Sequence, residues 1–138
     1  MNLRDASIIE LPKIQDHRGN LSFLENSNQI PFEIARVYWI YDVPGGESRG
    51  SHAFYQTDEV IIALSGSFDV WLDDGKENRV YTLNRSYKYL FVPRMTYRKI
   101  DNFSTNSLAL VVASKVFDPK EYIRDYDRFL RIKNGKEQ

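Results

Sequence analysis

The residues best suited to chemistry in this sequence are a histidine and a glutamate with six residues between them. His52 and Glu59 lie in the stretch from Gly46 to Gly66, which reads GESRGSHAFYQTDEVIIALSG. A neutral imidazole accepts protons near physiological pH, and a carboxylate can orient a neighbouring group or bind a cation. The chain contains 2 histidines, so any imidazole chemistry must use His52 or His17.

Four arginines are candidates for binding an anion. Arg18, Arg36, Arg49 and Arg98 lie near the ends of predicted strands or on faces predicted to point inward. A buried cation needs a partner, whereas a surface arginine is usually just solvated. The planar guanidinium suits phosphate oxygens in particular. These residues therefore predict an anionic ligand.

Tyrosines are the candidates for handling a second proton. Tyr38 is predicted to share a face with Arg36, and a phenol can donate a proton or hydrogen-bond a developing oxyanion. A core aromatic residue with a satisfied hydroxyl is an equally good interpretation of Tyr38. Tyr97 is a weaker candidate, and Phe54 is predicted to be a packing or stacking surface.

Length and composition indicate one soluble domain that covers residues 1–138. The chain is 42% hydrophobic, and its 19 basic and 19 acidic residues cancel, so no nucleic-acid footprint is expected. It has no cysteine, which excludes disulfides and thiolate metal sites. No stretch resembles a signal peptide or a membrane span, so we expect a cytoplasmic protein without membrane contact.

The elements that must position these residues are predicted to be short β-strands. Turn signals recur about every 8–12 residues, as in a sandwich or barrel. Asp74-Gly75 predicts a hairpin with a type I′ turn, whose two central residues need positive φ. The predicted strands cover residues 7–11, 20–25, 34–42, 52–56, 59–64, 67–73, 78–83, 88–92, 97–101 and 107–113.

Alternation along the third predicted strand separates two faces. Side chains of successive strand residues point to opposite sides of a sheet. One face should carry Arg36, Tyr38 and Ile40, and the other should carry Val37, Trp39 and Tyr41.

The C-terminal tail changes to a helical period. Asp118-Pro119 looks like an N-cap followed by a proline at the first helical position. Ile123, Tyr126 and Leu130 then recur at helical spacing, and Tyr122 and Phe129 widen the stripe. The pattern predicts one amphipathic α-helix over about 118–132.

The stretch around His52 resembles the first motif of the cupin family, with Phe54 where the family has its second histidine. Residues 93–102, PRMTYRKIDN, are a weaker echo of the second cupin motif, in which Arg98 replaces a histidine. The resemblance implies an all-β fold, a cupin or jelly-roll β-barrel of two antiparallel sheets with a C-terminal α-helix.

The four cupin metal-ligand positions do not hold a metal-binding set here. They carry His52, Phe54, Glu59 and Arg98. One histidine and one glutamate are too few ligands, and a guanidinium places a permanent positive charge at the fourth position. We therefore expect neither a bound metal nor another cofactor.

Four blocks of the chain resemble the dTDP-sugar 3,4-ketoisomerases, a group of small cupins related to the dTDP-sugar 3,5-epimerases. The blocks are RVYWIYDVPGGESRGSHA, EVIIALSGSFDVWLDDG, LNRSYKYLFVPRMTYRKIDNFSTNS and FDPKEYIRDYDRFL. The resemblance implies that dTDP-4-keto-6-deoxy-D-glucose is isomerised by moving its ketone from C4 to C3. The product would feed an aminotransferase that makes a 3-amino-3,6-dideoxy sugar for bacterial surface polysaccharide. The resemblance also implies a metal-free homodimer with an exchanged N-terminal strand.

The resemblance suggests roles for individual residues. His52 matches the first histidine of the family motif and is our candidate base, and Tyr38 is the candidate proton donor or hydroxyl partner. Arg36 and Arg18 would hold the diphosphate, and Arg98 would lie near the sugar or phosphate. The other residues expected to contact substrate are Arg49, His17, Phe54, Glu59 and Tyr97.

Phe54 is a departure from the family, because phenylalanine transfers no protons. Three explanations are open. His52 works with a tyrosine and needs no second histidine; or His17, in the Gln15–Gly19 turn, fills the gap; or the chain binds sugar nucleotides poorly or catalyses something else.

Two alternative functions also follow from these residues. Epimerisation at C3 or C5 of the same 4-keto sugar also begins with enolisation, and a cupin that binds a sugar nucleotide without turnover would tolerate Phe54. For the ketoisomerase, we expect a glucose-configured product rather than a galactose-configured one, with the position of the proton donor deciding the configuration.

Overall fold

The computed structural model describes residues 5–136. Within that range the chain forms twelve short strands and one α-helix. The elements are β1 (Ser7–Glu10), β2 (Lys13–Asp16), β3 (Gly19–Ser22), β4 (Arg36–Tyr41), β5 (Arg49–Phe54), β6 (Glu59–Ser65), β7 (Phe68–Asp73), β8 (Asn78–Leu83), β9 (Lys88–Val92), β10 (Tyr97–Asp101), β11 (Leu108–Ala113), β12 (Tyr122–Ile123) and α1 (Tyr126–Lys133).

Two five-stranded sheets make up the body of the fold, and a separate hairpin joins β2 and β3. The first sheet has the order β1-β9-β6-β11-β4, and the second has the order β12-β5-β10-β7-β8. Every strand pair in the described range is antiparallel. This is the all-β, two-sheet architecture with a C-terminal helix that the sequence predicts. A single domain over residues 1–138 stays a prediction.

The main hydrophobic core lies where inward-facing residues of both sheets meet. Alternating apolar residues of β7, Phe68, Val70 and Leu72, are all at most 1% exposed, as their period predicts. Each fully buried side chain of this size contributes about 1.5–3 kcal/mol. Side chains from both sheets are therefore fixed relative to one another. The core also includes Ile61, Leu90, Ile100 and Val111.

Strand β4 has the two faces that its sequence predicts. Ile40 is buried and Tyr38 packs against the main core. On the other face Trp39 is 57% exposed and Tyr41 is 61% exposed. Arg36 begins β4, an edge strand of its sheet, and is partly buried.

The C-terminal tail differs from the prediction of one helix over about 118–132. Asp118 does act as an N-cap, but the element that it caps is a single 3₁₀ turn at Pro119–Glu121 and not an α-helix. The chain then becomes strand β12, and a second cap at Asp125 starts α1 at Tyr126. Pairing of β12 with β5 fixes an extended backbone there, which overrides the helical period of the tail. Phe129 on α1 is fully buried against the second sheet.

Two other sequence expectations are corrected locally. The β7–β8 hairpin forms, but its loop is four residues, because Asp73 pairs with Asn78. Only Gly75 has positive φ, so the turn is not type I′. In addition, β2 is a strand that the sequence did not predict, and it pairs with β3 around the turn that carries His17. No helix between residues 5 and 136 is long and apolar enough to cross a bilayer.

Candidate active site

Side chains from four neighbouring strands converge at one end of the barrel. They border a cavity of about 280 Å³. Because β4 lies in one sheet while β5, β10 and β12 lie in the other, the cavity sits where the two sheets meet. Five predicted site residues border this cavity: Arg36, Tyr38, Arg49, His52 and Arg98.

A closed hydrogen-bond network forms the floor of the cavity. Arg98 and Glu59 are each 1% exposed, and Arg98 Nε lies 2.8 Å from Glu59 Oε1. Arg98 Nη2 donates to the Tyr38 hydroxyl over 2.7 Å, and this hydroxyl donates to Glu59 Oε2 over 2.5 Å. The carboxylate therefore neutralises a buried guanidinium and holds a phenol, so it is a positioning group and does not border the cavity.

This network shifts the protonation equilibria of its members. Burial raises the pKa of Tyr38 well above its ordinary value, and the Glu59 carboxylate adds to the shift while the Arg98 charge opposes it. Burial lowers the pKa of Arg98, but the Glu59 charge, the Tyr38 phenol and the hydrogen bond to Glu59 together outweigh burial, so that the net shift is upward. At neutral pH the phenol therefore keeps its proton and the guanidinium stays charged.

His52 is held by aromatic packing. It is 5% exposed, and neither ring nitrogen has a hydrogen-bond partner among the described residues. The rings of Phe54 and Tyr122 meet its ring edge to face, at centroid distances of 4.6 Å and 4.8 Å. Buried polar atoms without partners are rare and often functional. Both nitrogens are thus buried without a partner in the described part of the chain.

His52 is neutral at physiological pH. Burial, followed by the positive charges of Arg98, Arg124 and Arg36, lowers the pKa of its imidazole from 6.5 to about 2. A neutral imidazole has one nitrogen lone pair that accepts a proton. The ring is therefore in the protonation state that a general base requires.

We expect His52 to make the folded protein sensitive to acid. Between its folded pKa, about 2, and about 6.5 in the unfolded chain, the unfolded state binds one more proton. Stability therefore falls as the pH falls below 6.5, by about 1.4 kcal/mol per pH unit from this group. Urea unfolding at several pH values should show that His52→Asn loses this slope.

His17 provides the matched control for that measurement, because its side chain is 90% exposed. His17→Asn should keep the acid slope of the unchanged protein. Equal slopes for His52→Asn and His17→Asn would contradict the burial of a neutral His52.

Gly50 allows the close approach of Arg98. Its carbonyl accepts from Arg98 Nη1 over 3.1 Å. Gly50 has φ +69°, and a Cβ there would overlap Arg98 Nη1. We expect Gly50→Ala to cost roughly 1–2 kcal/mol in backbone conformation alone, and more by displacing Arg98.

Gly45→Ala is the matched control, because Gly45 has no positive φ and a methyl group there would have no atom within 4 Å of it. Urea unfolding of the two variants compares them directly. Equal stabilities would show that Arg98 does not need the space at Gly50.

The sequence prediction of site residues missed Tyr122 and Arg124, among other residues that border the cavity. Tyr122 lies on β12 and Arg124 follows it, and both border the cavity. The Tyr122 hydroxyl accepts from Arg36 Nη2 over 2.9 Å, and the Arg124 guanidinium lies 4.4 Å from the Tyr122 ring centroid. The sequence did contain a signal for them. Asp125 is a possible helix N-cap, and a helix that starts after it leaves Tyr122–Arg124 outside the helix.

Other predicted site residues lie away from the cavity wall. Tyr97 occupies the opposite face of β10 from Arg98, packs with Phe129, and donates to the Arg124 carbonyl over 2.7 Å. Phe54 packs behind His52. His17 and Arg18 lie at the exposed β2–β3 turn, where Arg18 pairs with Asp16, and neither of them borders the cavity in the described structure.

Metal-ligating residues are sparse throughout the described part of the chain. Between residues 5 and 136 no group of three or more His, Cys, Asp or Glu side chains could hold a metal ion. At the family's metal position, the Glu59 carboxylate is already paired with Arg98. The donor set around His52 therefore does not fit a metal.

Sequence comparison places the chain in a known family. Residues 4–134 match the family model described as "FdtA: WxcM-like, C-terminal". The chain is also 39% identical over 125 residues to the TDP-4-oxo-6-deoxy-alpha-D-glucose-3,4-oxoisomerase of Aneurinibacillus thermoaerophilus. That alignment covers 91% of this chain and 90% of the relative.

Three solved structures are similar along nearly their whole lengths. A 3,4-ketoisomerase from Helicobacter canadensis has a TM-score of 0.91 and 42% identity, with 94% of this chain and 98% of that one covered. The TDP-quinovose 3,4-ketoisomerase from Campylobacter jejuni has a TM-score of 0.89 and 42% identity, covering 94% and 99%. A sugar 3,4-ketoisomerase from Thermoanaerobacterium thermosaccharolyticum, in complex with TDP, has a TM-score of 0.93 and 30% identity, covering 97% and 98%.

These matches agree with the barrel and with the residues gathered at its end. They extend over almost the whole chain and not over one motif. The protein therefore belongs to the FdtA family, and it is an isomerase with a cupin-like fold.

Proposed function

We propose that this protein is a dTDP-4-keto-6-deoxy-D-glucose 3,4-ketoisomerase that works without a metal. The observation that carries the proposal is His52, a buried neutral imidazole with two unpartnered nitrogens among the described residues. It borders a cavity together with four arginines. This arrangement supports a reaction in which His52 acts as the base and the arginines bind the diphosphate.

In the proposed reaction, His52 removes the proton from C3. The ketone at C4 acidifies this proton, and its oxygen takes up the electron pair as an enediolate forms. Arg98 holds a fixed position through Glu59, so that its guanidinium can stabilise the oxyanion without rearranging. Protonation at C4 leaves the ketone at C3.

A bound diphosphate would make His52 a stronger base. The positive charges of Arg98, Arg124 and Arg36 depress its pKa in the free protein, and an anion between them offsets that effect. Arg36, Arg49 and Arg124 border the cavity and are the candidate diphosphate ligands. A neighbouring cavity of about 420 Å³, which shares Trp39, Ile40 and Arg49 with the first, offers space for the nucleoside.

The proposal includes a glucose-configured product. The Campylobacter jejuni relative is named for TDP-quinovose, which is 6-deoxyglucose, and is 42% identical to this chain. The 3-keto product would be aminated next, which gives a 3-amino-3,6-dideoxy sugar for surface polysaccharide. We place the reaction in the cytoplasm, where nucleotide-activated sugars are made.

Incubation with dTDP-4-keto-6-deoxyglucose in deuterium oxide, followed by NMR, tests this function. We expect the ketone signal to move from C4 to C3, deuterium at C4, and an equatorial C4 hydroxyl. An inverted centre with the ketone still at C4 would indicate an epimerase. Absence of any carbon-bound exchange would indicate a protein that only binds the nucleotide.

The metal-free part of the proposal has its own measurement. Turnover should be unchanged after dialysis against a strong chelator, and elemental analysis should find no stoichiometric metal. Loss of turnover that returns when one metal is added would contradict it.

A homodimer is the assembly that we propose. The outer face of the first sheet exposes apolar residues, including Val37, Trp39, Tyr41 and Leu64. In the described structure β1 pairs with β9 of its own chain, and the β2–β3 hairpin pairs only with itself. Exchange of the N-terminal segment would therefore use this exposed hairpin, and it would bring Arg18 and His17 to the partner's cavity.

Analytical ultracentrifugation tests the dimer, which should have twice the chain mass of 16.2 kDa. Leu64→Glu should dissociate it, because a charge on an apolar interface is costly to bury. A monomer at micromolar concentration would contradict the assembly.

A further inference from the structure

Two phenols border the cavity, and they differ in what their hydroxyl hydrogens do. The Tyr38 hydroxyl donates its hydrogen to Glu59 Oε2 over 2.5 Å and accepts one from Arg98 Nη2 over 2.7 Å. Burial also raises the pKa of this phenol well above its ordinary value. For Tyr38 to donate to a substrate, it would have to leave the carboxylate that balances Arg98. The hydroxyl hydrogen of Tyr38 is therefore already used in the hydrogen bond to Glu59.

Tyr122 has the opposite arrangement. Its hydroxyl oxygen accepts from Arg36 Nη2 over 2.9 Å. Within residues 5–136, this hydroxyl donates to no other group. Its ring is half-buried and borders the cavity beside His52, with a centroid distance of 4.8 Å. The Tyr122 hydrogen is therefore the one available to a ligand.

We propose that Tyr122 is the residue that donates the proton to C4, and that Tyr38 is not. This inference rests on the proposed ketoisomerase function. The rings of His52 and Tyr122 are in contact. The basic nitrogen of His52 and the acidic hydroxyl of Tyr122 can therefore act on two neighbouring carbons of the substrate. The short edge strand β12 thus supplies the proton donor of the proposed reaction.

The step is balanced without an added reactant. His52 takes the proton from C3, and the C3–H electron pair forms the C3–C4 double bond. The Tyr122 O–H bond then breaks as a C4–H bond forms, and the proton on O3 passes to O4. The His52 imidazolium returns its proton to the Tyr122 phenolate through solvent, which restores both residues.

Two positive charges favour this role. Arg36 already hydrogen-bonds the Tyr122 oxygen, and Arg124 lies over the Tyr122 ring at 4.4 Å from its centroid. Neither guanidinium is engaged by the Glu59 carboxylate. Two cations therefore flank Tyr122, one bonded to its oxygen and the other over its ring.

Tyr122→Phe tests the proposal, because it removes the hydroxyl and keeps the ring that packs on His52. Assayed by NMR in deuterium oxide, this variant should still exchange the C3 proton within a few-fold of the unchanged protein. Formation of the 3-keto product should fall by roughly 100-fold or more, as expected for loss of a general acid. TDP binding, measured by calorimetry, should be retained. Tyr81→Phe, on β8 at the far edge of the second sheet, is the matched control with normal turnover.

Three outcomes would overturn the assignment. Normal isomerisation by Tyr122→Phe would remove this residue from the mechanism. Loss of C3 exchange along with isomerisation would show that its hydroxyl acts before protonation at C4. Retained exchange with lost isomerisation in Tyr38→Phe would make Tyr38 the donor. If the unchanged protein neither exchanges C3 nor forms product, the proposed function itself fails, which is a separate result.

Discussion

Replacing His52 with asparagine should lower turnover by roughly 10²- to 10⁴-fold, the usual contribution of a general base. The amide cannot take a proton from C3, and the other histidine of the chain, His17, does not border the cavity in the described structure. The smaller side chain leaves the arginines that border the cavity in place. TDP affinity should therefore change little.

Single-turnover NMR with the 4-keto sugar measures this effect, and calorimetry with TDP shows whether the cavity is intact. Carbon-bound exchange at C3 should disappear together with product formation. This distinguishes the base from a group that acts only at C4. Turnover of His52→Asn close to that of the unchanged protein would remove the imidazole from the mechanism.

Glu59→Gln should be strongly destabilising although it exchanges an oxygen for a nitrogen. Arg98 is 1% exposed, and Glu59 is its buried counter-charge. An amide cannot neutralise the guanidinium, and removing one partner of a buried ion pair costs about 3–5 kcal/mol. Urea unfolding should therefore show a loss of about 3 kcal/mol.

Glu77→Gln is the matched control. Glu77 and Arg79 are each 53% exposed, and their charged atoms are 3.8 Å apart. Exposed ion pairs contribute about 0–1 kcal/mol, so this variant should unfold almost like the unchanged protein. Comparable losses for the two variants would mean that Arg98 finds another counter-charge or a route to solvent.

Much of the barrel could be predicted from local patterns. Alternation along β4 and β7 identified the correct inward faces, because the period of two is imposed by strand geometry alone. The resemblance of Gly46–Gly66 to a cupin motif implied that His52 and Glu59 lie on adjoining parts of a cupin-like barrel. Arg36, Tyr38, Arg49, His52 and Arg98 do border one cavity.

The roles within that cavity were harder to predict, because they depend on partners distant in the sequence. Glu59 was expected to contact substrate, but Arg98 and Tyr38 occupy both of its oxygens. Tyr97 was given a similar role and lies on the other face of β10. A sequence shows which groups a residue carries, and only packing decides which of them are already bonded.

The amino-acid sequence by itself determined the class of fold and the family, through the resemblance of its motifs, and it limited imidazole chemistry to His52 or His17. Which of the two borders the cavity depended on the fold. The tertiary structure alone decided that Tyr122–Ile123 forms an edge strand and not a helical turn, because pairing with β5 outweighs a helical period in so short a segment. It also decided that His52 is neutral and unpartnered among the described residues, since burial and the field of three arginines arise only when distant strands meet.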